Sequence, residues 1–69
     1  MNIVSSARSL KLLLTPEEAA NALGVSRTFL YGLLARQQIF SVKVGGARRI
    51  PLRSLENYVE DLCEQQKAS

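Results

Sequence analysis

Apolar positions along the chain follow a helical period in three stretches and a strand period in one. The first helical stretch opens at Thr15-Pro16-Glu17-Glu18, where threonine can cap, proline suits the first helical position and Glu18 can bond back as a capping box. Its buried side is predicted to be Ala19, Ala20 and Leu23, small residues that let another helix approach closely, and Gly24 ends it by adopting a left-handed conformation cheaply. Ser26 is a good cap for a second helix. After it Phe29, Leu30, Leu33 and Leu34 fall on one apolar face, at about 100° per residue. Thr28, Tyr31, Gly32 and Ala35 occupy the opposite face, with Arg27 and Arg36 on its flanks. Two short helices joined by Gly24-Val25-Ser26 form a helix-turn-helix, in which the second helix, residues 27–36, enters a major groove.

After Gln37-Gln38 the period becomes two: Val42 and Val44 alternate with Ser41 and Lys43, Gly45-Gly46 interrupts, and Arg48-Arg49-Ile50 resumes. This pattern predicts a hairpin. A two-residue Gly45-Gly46 loop would pair Ser41 with Ile50, whereas a three-residue loop through Ala47 pairs Val42 with Ile50 and Lys43 with Arg49. Only the longer loop gives one apolar and one basic face, so it is the expected register. Pro51 closes the second strand, and Leu55, Tyr58, Val59 and Leu62 form the stripe of a last helix with its acids on the other side. The expected architecture is mostly α with a small β-hairpin: a helix-turn-helix, a two-stranded wing and a C-terminal helix. Residues 12–65 would form this domain, with a flexible arm at 1–11 and a short tail at 66–69.

At 69 residues the chain has little room for a catalytic cleft, and its 46% apolar fraction demands a folded core. No histidine and a single cysteine, Cys63, remove intramolecular disulfides and the usual metal sites, so no cofactor is expected. Cys63 sits one residue beyond the apolar stripe, where a buried or half-buried thiol is expected. No nucleophile and base pair, phosphate loop or metal cluster is present, so an enzyme is the least favoured class, and Glu60, Asp61 and Glu64 are assigned to solvent. No apolar run is long enough for a membrane span or a signal peptide. A reducing, cytoplasmic setting fits.

The net charge of +3 matters less than its placement. No acid lies between Ala19 and Leu55, while Arg27, Arg36, Lys43, Arg48, Arg49 and Arg53 all do. Such a block suits a polyanion, against the alternative of a solvated basic face without a partner. Arg48 and Arg49 beside the glycine tip are placed for a minor groove, and Lys43 for a phosphate, the alternative being charges that protect an exposed strand edge. On the second helix, Arg27 can reach a phosphate or guanine and Thr28 suits a base edge. Tyr31 can bond a phosphate or merely cover the core, and Arg36 can contact DNA or snorkel along the helix end. Ser26 joins this set at the helix start. Gly32 costs about 1 kcal/mol relative to alanine inside a helix, and close approach of the backbone to DNA would account for it.

The stretch Leu14-Thr15-Pro16-Glu17-Glu18-Ala19-Ala20 through Leu23-Gly24-Val25-Ser26-Arg27-Thr28-Phe29-Leu30-Tyr31 resembles the start of excisionase-like, MerR-type winged helix-turn-helix domains. Val44-Gly45-Gly46-Ala47-Arg48-Arg49-Ile50-Pro51, followed by Leu55 and Tyr58, is similar to the wing and closing helix of the same family. The resemblance implies a recombination directionality factor of a phage or mobile element, working on the nucleoid of a bacterial host. Such a factor binds tandem sites on double-stranded DNA alongside further copies of itself, bends the DNA and helps an integrase excise. Carried over by position, Arg27, Thr28, Tyr31, Arg48 and Arg49 are the implied contacts; the family often has a basic residue where this chain has Gly32.

A short transcriptional regulator with the same domain is the close alternative. Longer regulators of this type carry a dimerising helix after the wing, where this sequence reaches Ser69, and that favours the architectural role. A protein-interaction module that docks an acidic protein is the alternative from another class.

Overall fold

The computed structural model describes residues 11–68. The elements run β1 (Leu13–Leu14), α1 (Pro16–Leu23), α2 (Arg27–Ala35), β2 (Val42–Val44), β3 (Ala47–Pro51) and α3 (Leu52–Ala68). The helix-turn-helix, hairpin and closing helix thus appear in the expected order. Nearly all of the expected arm lies outside the described residues; Lys11, at its end, pairs with Glu18 at 2.7 Å. The last helix continues to Ala68, through most of the expected tail.

The start of α1 follows the capping box. Thr15 Oγ1 accepts from the Glu18 N–H at 3.1 Å, and Glu18 Oε1 accepts from the Thr15 N–H at 3.0 Å. Two otherwise orphaned donors are satisfied by groups three residues apart, with no tertiary contact needed.

The expected two-stranded wing is present as β2 and β3, and the sheet adds a strand that was not expected. The sheet has three antiparallel strands in the order β1-β3-β2, with Leu13 opposite Pro51 and Leu14 opposite Ile50. The Leu52 N–H also donates to the Leu12 carbonyl at 2.8 Å, so the segment leading into α1 ties down the start of α3. A two-residue strand carries too little pattern to announce itself in sequence.

The hairpin register is a correction. Val42 pairs with Arg49, Lys43 with Arg48 and Val44 with Ala47, around a two-residue Gly45-Gly46 loop. Both glycines have positive φ, +60° and +86°, which is the backbone a type I′ turn requires and glycine adopts without strain. The argument from segregated faces fails because the hairpin extends past the core. Val42 and Val44 stay 37% and 51% exposed, so nothing rewards placing them with Ile50.

Leu14, Ala19, Ala20, Leu30, Leu33, Leu34, Ile39, Ile50 and Leu55 form the core, with Leu23, Val25, Leu52 and Tyr58 packed partly against it. Fully burying a leucine or isoleucine contributes about 1.5 to 3 kcal/mol, so Leu30, Leu33, Ile39 and Ile50 carry much of the stability. Three apolar positions depart from the expected pattern. Phe29 is exposed and leaves the α2 core face, Val59 is exposed on α3, and Ile39, outside every periodic stretch, is buried. Cys63, expected buried or half-buried, is exposed. The second half of α3 runs beyond the core, so its stripe has little to pack against.

Candidate nucleic-acid interface

The turn between α1 and α2 sets the geometry of the interface. Gly24 sits at φ +76°, its N–H donating to the Asn21 carbonyl at 3.1 Å, while the Val25 N–H donates to Ala20 at 3.0 Å. These nested bonds close α1 and reverse the chain within two residues. Ser26 then caps α2, its Oγ accepting from the Phe29 N–H at 3.1 Å. With Ala19 and Ala20 buried under it, α2 sits on α1 through Leu30, Leu33 and Leu34 and turns its other side outward.

That outward side carries Arg27, Thr28, Phe29, Tyr31, Ala35 and Arg36, all exposed. Tyr31 is 44% exposed, so its ring does not serve mainly to cover the core. Phe29, 47% exposed, is a ring that periodicity assigned to the interior; placed outward it can meet a thymine methyl. Arg27 is already engaged: its Nη1 donates to Glu17 Oε2 across the two helices. Sequence reasoning missed this contact because the partners lie ten residues apart. Both are solvent-exposed, so the pair is weak and leaves Arg27 easily released.

The end of α2 aims the wing. Gln37 takes φ +60°, with its N–H on the Leu34 carbonyl at 3.0 Å and the Gln38 N–H on Leu33 at 2.9 Å. Glutamine thus fills a left-handed position usually held by glycine. The sharp exit drops Ile39 into the core and lets the Phe40 N–H donate to the buried Ser54 Oγ at 3.0 Å. The hairpin base is thereby fixed between α2 and α3.

Paired residues of antiparallel strands share a face. Lys43 and Arg48 therefore lie directly opposite one another, on the face that further down buries Ile50. Arg48 Nε donates to Ser41 Oγ at 3.0 Å, and Arg48 lines a shallow cleft of about 390 Å³ with Leu34, Gln37, Ile39, Phe40 and Ser41. Arg49 lies on the other face, with Val42, Val44 and Ala47, and its Nη1 donates to the Arg48 carbonyl at 2.9 Å. The expected basic face is thus divided: Lys43 and Arg48 share the sheet face on which Arg48 lines the cleft, and Arg49 lies on the other.

Among the described residues, the ion pairs are Lys11 with Glu18 and Arg27 with Glu17, both at the start of α1. Arg36, Lys43, Arg48 and Arg49 have no carboxylate partner among the described residues. Two like charges directly across a strand pair repel, a local cost that a polyanion removes. The hydrogen bond from Lys11, together with that from the Thr15 N–H, holds the Glu18 carboxyl below its ordinary range. No group of acids, cysteine or histidine among the described residues could hold a metal ion, and no helix is long and apolar enough to cross a membrane. A groove of about 860 Å³ runs between α1 and α3 and shares no residue with α2 or the wing.

A capped helix-turn-helix, a hairpin carrying Lys43, Arg48 and Arg49, and a closing helix define a winged helix-turn-helix. The chain matches the helix-turn-helix domain family over residues 13–63. It is 46% identical over 59 residues to a protein of Saccharopolyspora erythraea described as a "probable excisionase", covering 86% of this chain and 60% of that one. It is 35% identical over 49 residues to an excisionase of Streptomyces ambofaciens, covering 71% of this chain and 79% of the relative. The chain therefore spans about three-fifths of the first relative's length. No solved structure matches it. The chain belongs to the excisionase-like helix-turn-helix family.

Proposed function

We propose that this protein is an excisionase of the MerR-type winged helix-turn-helix class, an accessory factor that binds tandem sites on double-stranded DNA, bends it and directs integrase-mediated excision. The observation that carries the reading is the set of cations that have no carboxylate partner among the described residues, Arg36 at the end of α2 and Lys43, Arg48 and Arg49 on the wing. In this reading Thr28, Tyr31 and Phe29 meet base edges of the major groove, with Ser26 and Arg27 at the helix start. Arg48 and Lys43 follow the flanking backbone, and Arg49 and the glycine tip approach the minor groove.

A module of this size covers only about 600 to 1,000 Å² of DNA, little for tight and specific binding alone. Neighbouring copies and an integrase supply the rest in the proposed assembly, on the nucleoid of the host cytoplasm.

Footprinting across the attachment region tests the proposal. Periodically spaced protected sites, with bending in a circular-permutation mobility assay, are the expected result. A single protected site over a promoter would replace the proposal with a transcriptional regulator. Salt titration separates both from a protein-docking module: if Arg27, Arg36, Lys43, Arg48 and Arg49 all meet phosphates, log affinity falls against log salt with a slope near 4 to 5. A flat response would remove DNA as the partner.

A further inference from the structure

Arg36 ends α2 without a carboxylate partner, and its guanidinium does not extend into solvent away from the helix. It folds back one turn over Gly32. A Cβ built on Gly32 would stand 3.4 Å from Arg36 Nη1, 3.8 Å from Nη2 and 3.9 Å from Cζ. Both terminal nitrogens lie nearer than Cζ, so the guanidinium turns its Nη1/Nη2 end toward the space beside the glycine. Arg36 itself remains exposed. The site normally occupied by a side chain at position 32, in the middle of the outward face, is therefore covered by the cation of the residue four positions later.

We infer that Gly32 is a seat for Arg36, and that the seated guanidinium, not the glycine backbone, is the part of this turn that meets DNA, at a phosphate. The inference rests on the DNA-binding reading above and assigns Gly32 a different role from close approach of the helix backbone. A phosphate is favoured over a base because the N-terminal part of a recognition helix points into the groove, while its C-terminal end passes over the backbone. Gly32 is then a positioning residue in the sense that the site admits nothing longer than a methyl: a longer side chain would lift Arg36 off the helix surface. The 3.4 Å approach lies at the near edge of ordinary van der Waals contact, so alanine fits with Arg36 still in place.

The test is a double-mutant cycle read on mixed-sequence 20-base-pair duplexes of three base compositions, over a salt series, using the full chain. Arg36→Ala is expected to reduce the log–log salt slope by about 0.9, which is about eightfold in affinity at 0.1 M salt, equally on all three duplexes. Gly32→Leu is expected to give the same losses while its melting temperature holds or rises. Gly32→Leu combined with Arg36→Ala should bind no more weakly than Arg36→Ala alone. Gly32→Ala should raise the melting temperature and leave affinity within about twofold. Additive losses in the double variant, or weaker binding by Gly32→Ala in the Arg36→Ala background, would overturn the seat and restore close backbone approach. A loss confined to one duplex composition would overturn the phosphate. Failure of the parent chain to bind any duplex at low salt would overturn the DNA reading together with this inference; binding by the parent with Arg36→Ala unchanged would overturn this inference alone.

Discussion

The hairpin register makes Lys43 and Arg48 a cross-strand pair of like charge, and Lys43→Glu turns that repulsion into attraction. Cross-strand pairs are worth about 0.2 to 1 kcal/mol, and here two effects add: removal of the repulsion and gain of an opposite-charge contact. Both side chains are exposed, which favours the lower half of the sum, about 0.5 to 1 kcal/mol at low salt. In a domain of this size that raises the unfolding midpoint by about 2 to 8 °C. Circular dichroism melts at low and high salt check it, and the gain should shrink as salt rises. The gain should disappear in an Arg48→Gln background and persist in an Arg49→Gln background. DNA affinity should move the opposite way, with the salt slope lower by about 0.9 or more, because a phosphate contact has been replaced by a like charge. A gain that depended on Arg49 and not on Arg48 would refute the two-residue turn and restore the register in which Lys43 faces Arg49. A stability loss independent of both arginines would refute the pairing argument altogether.

Three further outcomes follow from the same geometry. Gly24→Ala should cost about 1 kcal/mol in urea unfolding; a Cβ there meets nothing within 4 Å, so the loss comes only from holding a non-glycine residue at φ +76°. Glu17→Gln should strengthen DNA binding several-fold at low salt by releasing Arg27 and removing a negative charge beside α2, while unfolding changes by less than about 1 kcal/mol. An unchanged affinity would place Arg27 outside the interface. The Glu18 carboxyl titrates below its ordinary range, so its stabilising effect is complete above about pH 4.3 and is lost as pH falls through the lowered value; Glu18→Gln should flatten that part of the acid-unfolding profile.

Capping and turn chemistry were legible in sequence wherever the interacting groups lie within one helical turn of each other. Thr15 with Glu18, Ser26 with the Phe29 N–H and Gly24 at its left-handed position all follow from side-chain reach and backbone sterics, with no need of the rest of the fold. For the same reason the order of helix, turn, helix, hairpin and helix was set by periodicity alone, and with it the outward position of Thr28 and Tyr31.

Tertiary structure decided everything that depends on where the core stops. Phe29 and Val59 have the right period for burial but lie where no opposing surface exists, whereas Ile39 follows no period and is carried inward by the left-handed exit at Gln37. Leu13 and Leu14 became a strand only because β3 presents an open edge to them. The wing register was settled by the backbone demands of Gly45 and Gly46, since a hairpin that projects beyond the core gains little from sorting its apolar residues onto one face. The partner of Arg27, Glu17, and the placing of the Arg36 guanidinium beside Gly32 emerged only once chain reversal and rotamer choice had set them. Local physics determined which segments fold and how they end. Long-range packing determined which of their side chains remain free to meet another molecule.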